Sequence, residues 1–125
     1  MTLVDGTDLP ADAFCAVCPT RAVLDRLANK WTVLIVDALH AGPLRYRALH
    51  RRIEGVSQKM LTQTLRALEA DGLVRRTVFP TTPPQVEYAL TDLGRSLAAP
   101  IGAVRAWAEE NINHVLAARG RAAPG

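Results

Sequence analysis

The stretch Gly55-Val56-Ser57-Gln58-Lys59-Met60-Leu61-Thr62-Gln63-Thr64-Leu65-Arg66-Ala67-Leu68-Glu69-Ala70-Asp71-Gly72-Leu73 decides the reading of the whole chain. Ser57 is an N-cap, placed to accept a hydrogen bond from a free backbone N–H of the first helical turn. Asp71-Gly72-Leu73 is a helix end, with glycine in the left-handed conformation and leucine folding back onto the core. Between these stops, at about 100° per residue, Leu61, Leu65 and Leu68 project from one side while Lys59, Thr62, Gln63 and Arg66 project from nearly the opposite side. One face is built to pack. The other offers a cation, a hydroxyl, an amide and a guanidinium, the groups that hydrogen-bond phosphates and base edges in a DNA major groove. No acid occurs from Ser57 to Ala67, whereas an ordinary surface helix mixes Glu with Lys four residues apart. Ser57, Gln58 and Met60 sit at the helix N-terminus, where the dipole favours phosphate.

Upstream of this helix, Tyr46, Leu49 and Ile53 form the inward side of a short helical segment, and Gly55-Val56-Ser57 is a tight turn. Downstream, Leu73 to Phe79 and Gln85 to Leu90 have strand character and flank a tip that contains Pro80, Pro83 and Pro84, which predicts a β-hairpin. Short helix, turn, polar helix and two-stranded ribbon make a winged helix-turn-helix, with Arg75 and Arg76 at the start of the wing, in reach of flanking DNA backbone. Further out, Pro19 opens a helix that ends near Asn29, and Trp31, Leu34, Ile35, Ala38 and Leu39 line one face of a second, ended by Gly42-Pro43. Thr91 or Asp92 caps a final long helix with Leu93, Leu97, Ile101, Val104, Ala108, Ile112 and Val115 stepping by three or four, kinked or broken at Pro100. The expected fold is mainly α with a small β-hairpin wing. Residues 1–17 are a flexible arm, 18–90 the winged helix-turn-helix, 91–118 a terminal helix of the same domain, and 119–125 a flexible tail.

The chain has 125 residues, 49% hydrophobic and 22% charged, which fits one ordinary globular domain and leaves no room for a separate catalytic one. No run of roughly 18 apolar residues exists, and Asp5, Asp8 and Asp12 stand where a secretory signal would carry basic residues. No membrane partner and a cytoplasmic location are expected, with both cysteines reduced at rest. Net charge is only +3, but it is unevenly placed. Residues 43–79 hold eight basic and three acidic side chains, against three and five in residues 1–42 and four and four in residues 80–125. The positive field is local to the middle third, as a phosphate-binding surface requires.

These residues carry a likeness. From Cys18-Pro19 to about Trp107 the chain resembles the HxlR-type regulators, a branch of the winged-helix repressors similar to the MarR group. The resemblance lies in Lys30-Trp31-Thr32 with Ile35, Gly42-Pro43, Arg45-Tyr46 with Leu49, and Ser57 with Lys59-Met60-Leu61-Thr62 and Leu65-Arg66. It continues through Leu68-Glu69, Asp71-Gly72-Leu73-Val74, Pro84, Val86-Glu87-Tyr88 and Leu90-Thr91. Asn29 stands where a glycine is usual, Tyr46 replaces a common Phe, and Gln85 replaces a frequent wing arginine, which weakens any minor-groove grip by the wing tip. The resemblance implies a homodimeric bacterial transcription factor, with the Ser57 helix in the major groove and dimerisation through the terminal helices.

Physical size also argues for a dimer. A last helix of about 25 residues would span roughly 37 Å, more than one small domain needs, and Ile101, Val104, Trp107, Ala108, Ile112 and Val115 would form its apolar seam. Two-fold pairing sets two reading helices about one DNA turn apart and predicts a palindromic operator on double-stranded DNA.

Cys15 and Cys18 lie in Cys-Ala-Val-Cys-Pro. Cys18 precedes a helix N-terminus, whose dipole stabilises a thiolate. In several HxlR-type regulators the cysteine that aligns with Cys18 senses electrophiles or oxidants, so the resemblance implies a redox or quinone switch, with an oxidant or small molecule as inducer. An inert buried cap and a zinc site stand as alternatives, although His40, His50 and His114 have no ligand spacing with a single Cys-x-x-Cys; Cys15 is absent from the usual family pattern, so an internal Cys15–Cys18 bond is open but not implied. No metal and no cofactor are expected. Two further functions compete. A small thiol oxidoreductase using Cys15 and Cys18 lacks a general base and a βαβ setting, so no enzyme is expected, and a basic protein-interaction module would bind an acidic partner through the middle third.

Overall fold

The computed structural model describes residues 2–4, 7–9 and 11–122. Two short antiparallel strands, β1 (Thr2–Val4) and β2 (Thr7–Leu9), open the chain. Helices α1 (Pro19–Leu27) and α2 (Lys30–His40) follow. Asn29 separates them because its side-chain oxygen accepts the Trp31 N–H at 2.8 Å, capping α2. The two-residue strand β3 (Leu44–Arg45) leads into α3 (Tyr46–Arg52), and α4 (Gln58–Ala70) follows the turn. The wing is β4 (Val74–Phe79) and β5 (Gln85–Leu90), and α5 (Asp92–Ala122) closes the chain. In the sheet the order is β3-β5-β4, all antiparallel, with Leu44 opposite Tyr88 and Val74 opposite Leu90.

α4 begins and ends where its sequence dictates. Ser57 Oγ accepts the Met60 N–H at 3.0 Å. At the other end Gly72 has φ +76°, the Leu73 N–H donates to the Leu68 carbonyl at 2.9 Å, and the Gly72 N–H donates to the Glu69 carbonyl at 3.0 Å. That pair of bonds is the Schellman arrangement, and it turns the chain straight into the wing. Leu61, Leu65 and Leu68 are fully buried against Ile35, Val36, Leu49, Val74 and Leu90, a stripe whose burial stabilises by about 1.5–3 kcal/mol per side chain.

The end of α4 is also bound to the start of α5. Thr91 Oγ1 donates to the Gly72 carbonyl at 2.6 Å and accepts the Gly94 N–H at 3.1 Å, while its own N–H donates to the Leu73 carbonyl at 3.1 Å. Gly94 packs so tightly here that a Cβ would lie 2.1 Å from the Leu73 carbonyl oxygen. Further along, Arg105 spans α5 and α2, its Nε 2.5 Å from Asp37 Oδ2 in a close ionic contact and its Nη1 bonded to Glu109.

Three expectations change. α5 has 31 residues and runs through Pro100 to Ala122, so the tail expected over 119–125 is helical as far as Ala122, and its last three residues lie outside the described residues. Pro100 and Ser96 are both exposed, so the Ser96 carbonyl that loses its N–H partner is left on the water side and the helix continues. The arm expected over 1–17 contains the β1–β2 pairing, and its final part is tied down: Arg21 Nε donates to the Ala13 carbonyl at 2.8 Å and Nη2 to the Phe14 carbonyl at 3.2 Å.

The Gly94 contact makes a test of the α4–α5 junction. Gly94→Ala forces backbone apart and is expected to lower unfolding free energy by about 1–3 kcal/mol in urea titration. Gly120→Ala, whose Cβ meets nothing within 4 Å, is expected to be neutral or slightly stabilising. Equal effects would show that the junction is not tightly packed.

Candidate nucleic-acid interface

With Leu61, Leu65 and Leu68 facing the core, the rotation of α4 is fixed. Gln58, Lys59, Met60, Gln63 and Arg66 are then exposed together on the outer side. The N–H groups of Gln58 and Lys59 precede the first intrahelical bond and have no acceptor in the helix, so they are available to an anion beside Lys59. Glu69 and Asp71 stay at the far end, and Asp71 Oδ2 is held by Arg26 Nε at 2.8 Å. The exposed face thus presents donors and positive charge, with the carboxylates confined to the C-terminal end, Glu69 three residues beyond Arg66.

Thr62 differs from the other expected contacts. It is half-buried, and its Oγ1 lies 3.2 Å from the Tyr46 phenol oxygen, which is also 3.3 Å from the Gln58 carbonyl. Sequence spacing put Thr62 on the outer face but held no sign of a partner sixteen residues upstream.

In the wing, Arg75 and Arg76 are both exposed, but they do not share a face. Arg76 is opposite Tyr88 and Arg75 opposite Ala89, so the pleat sends Arg76 to the Tyr88 side of the sheet and Arg75 to the other. Arg45 joins the Arg75 side. Its guanidinium lies 4.4 Å from the centre of the Phe79 ring, Nη1 bonds Gln85 Oε1, and Nε is 3.7 Å from Glu87 Oε2. Gln85, noted in the sequence as a missing wing arginine, serves here to hold Arg45. Arg47 and Arg51 are exposed four residues apart on α3 and widen the basic surface. Their spacing outside the Tyr46-Leu49-Ile53 stripe was the available signal.

The expected seam on α5 is altered at one end. Ile101 is 6% exposed and belongs to the chain's own core, because the first half of α5 covers α2 and the sheet. After Ile101 no described residue of α5 is buried. Val104, Trp107, Ala108 and Ile112 are exposed, Val115 is half-buried, and Leu116, outside the expected seam, is exposed as well.

Cys15 and Cys18 form a disulfide, with Cα atoms 5.4 Å apart. The reduced pair expected from sequence is replaced by a bond that the short turn permits, since the Cys18 N–H donates to the Cys15 carbonyl at 3.3 Å and brings the two residues into disulfide range. Cys18 is the buried N-cap residue of α1, and Phe14 and Val17 beside it are 92% and 93% exposed. Among the described residues no helix is long and apolar enough to cross a membrane.

Comparison with known proteins agrees with this geometry. Residues 26–116 match the family model described as HxlR-like helix-turn-helix. The chain is 46% identical over 106 residues to the uncharacterized HTH-type transcriptional regulator YtfH of Escherichia coli, covering 85% of this chain and 84% of that one. Among solved structures it is similar to the putative transcriptional regulator ytfH from Salmonella typhimurium, with TM-score 0.83, 44% identity and coverage of 87% and 97%. It is also similar to the redox regulator HypR in its oxidized form, with TM-score 0.69, 38% identity and coverage of 75% and 97%. The chain is a transcriptional regulator with a winged helix-turn-helix fold, and it belongs to the HxlR-like helix-turn-helix family.

Proposed function

We propose that the protein is a cytoplasmic homodimeric repressor that binds a palindromic operator, with one α4 in the major groove of each half-site. The observation that carries this reading is the exposed, carboxylate-free side of α4, fixed outward by the buried leucine stripe. Lys59, Gln63 and Arg66 make the principal base and phosphate contacts, Thr62 adds a polarised one, and Ser57, Gln58 and Met60 lie at the groove mouth. Arg75 and Arg76 serve flanking phosphates from opposite faces of the wing. The second copy covers the distal part of α5, where Val104, Trp107, Ala108, Ile112 and Val115 find a partner. At about 1.5 Å per residue, 31 residues extend roughly 46 Å, well past the core they cover.

A thiol oxidoreductase and a basic protein-interaction module are less well supported. Neither accounts for the coincidence of a capped polar helix, a wing and an overlong terminal helix, and the relatives are named as transcriptional regulators.

Control by oxidation belongs to the same proposal. Cys15 and Cys18 lie within bonding reach, and one structural neighbour is named a redox regulator. In the switch, the two thiols lose two protons and two electrons to an oxidant such as a quinone, which leaves as the hydroquinone, and a sulfur–sulfur bond forms. Bond formation fixes the turn before α1 and changes how Phe14, Val17 and α1 meet the second copy, which moves the reading helices and releases the operator.

Two measurements test these roles. In titrations of labelled duplex, Gln63→Ala is expected to lose about 1–3 kcal/mol of preference for operator over competitor. Arg75→Ala should weaken all duplexes alike and lower the salt slope by about one; equal effects of the two substitutions on operator and random DNA would contradict the assigned reading face. For the switch, diamide should reduce operator affinity of the thiol form at least about fivefold, and Cys18→Ser should not respond. An unchanged affinity after full oxidation removes the redox proposal and leaves DNA binding intact.

A further inference from the structure

Tyr46 is the first residue of α3, yet its phenol touches the reading helix. The ring is fixed on two sides. It lies parallel to His50, with centres 6.3 Å apart, and tilted against buried Tyr88 at 6.5 Å. His50 is in turn held by its Nε2 contact of 2.9 Å to the Val56 carbonyl. The hydroxyl oxygen therefore has a set position, 3.3 Å from the Gln58 carbonyl and 3.2 Å from Thr62 Oγ1.

With one proton between two neighbours, the phenol dictates the role of Thr62. A carbonyl only accepts, so the phenol holds both bonds at once only by giving its single proton to Gln58 and accepting the Thr62 hydroxyl proton. Thr62 then has lone pairs and a methyl group to offer outward, and no donor. Phosphate oxygens, guanine N7 and O6, and thymine O4 accept only, whereas the amino groups of adenine and cytosine donate in the major groove.

We propose that Tyr46 is a specificity-determining positioning residue, which makes Thr62 an acceptor-only contact that selects an amino-bearing base edge in the major groove. The assignment rests on α4 reading DNA as proposed above. Removing the phenol oxygen returns the Thr62 proton and lets the hydroxyl serve either as donor or as acceptor, so discrimination relaxes at the base pair that faces it.

The test uses the full chain and a duplex retained by the wild-type protein against competitor DNA, together with every single-base-pair variant of that duplex. Tyr46→Phe is expected to lose about three- to tenfold of discrimination at one symmetry-related pair in each half-site, with the other positions and the thermal midpoint little changed. In a Thr62→Val background, Tyr46→Phe should have no such effect, and in a Thr62→Ser background it should have the wild-type effect. Unchanged preference at every position in Tyr46→Phe, or a shift that persists with Thr62→Val, overturns the assignment while wild-type discrimination leaves the DNA-binding reading in place. Absence of any discrimination by the wild-type protein overturns both.

Discussion

Burial of Leu61, Leu65 and Leu68 is the contact from which the rest of the molecule takes its orientation. Three leucines on one side of a helix of thirteen residues leave only one rotation of α4 that removes them from water. That rotation exposes Lys59, Gln63 and Arg66 together. The Ser57 cap and the Gly72 turn fix where the helix starts and stops, so its N-terminal N–H groups and its outer side chains point from a rigid support.

The same packing joins the reading helix to elements at some distance. Gly72 and Leu73 are bonded to Thr91, so the end of α4 and the start of α5 move as one body. Arg105 then clasps Asp37 on α2, and beyond it α5 projects with Trp107 and Ile112 exposed. In the proposed dimer, a change in how two copies meet along α5 would pass to α4 through backbone bonds and a filled core rather than through a flexible linker. On the other side of α4, Arg45 ties the base of the wing to its own sheet through Phe79, Gln85 and Glu87. That arginine is consequently a structural cation within the basic middle third.

Local signals were legible in the sequence and long-range pairings were not. Ser57, Gly72 and the leucine stripe act within a few residues of themselves, so α4 and its exposed face could be read directly. Strand β3 escaped notice because Leu44 and Arg45 are too few to show alternation and their partners, Tyr88 and Glu87, are more than forty residues away. Gly120 reads as a helix end, yet the surrounding Ala and Arg residues are strong helix formers and α5 continues past it. A periodic apolar stripe cannot say whose core it joins, so spacing alone does not separate Ile101, in the chain's own core, from exposed Trp107. Arg75 and Arg76 looked like one feature until the strand register separated their faces. The Thr62 contact depends on a phenol from another helix, and nothing near Thr62 in the chain announces it.

Methylation of guanine N7 by dimethyl sulfate tests the central claim most directly, because that atom is reached only from the major groove. On a duplex bound by the wild-type protein, two patches of protected guanines should appear, related by two-fold symmetry and centred about 10 base pairs apart. Full reactivity at every guanine while the protein remains bound would place α4 outside the groove and contradict the account.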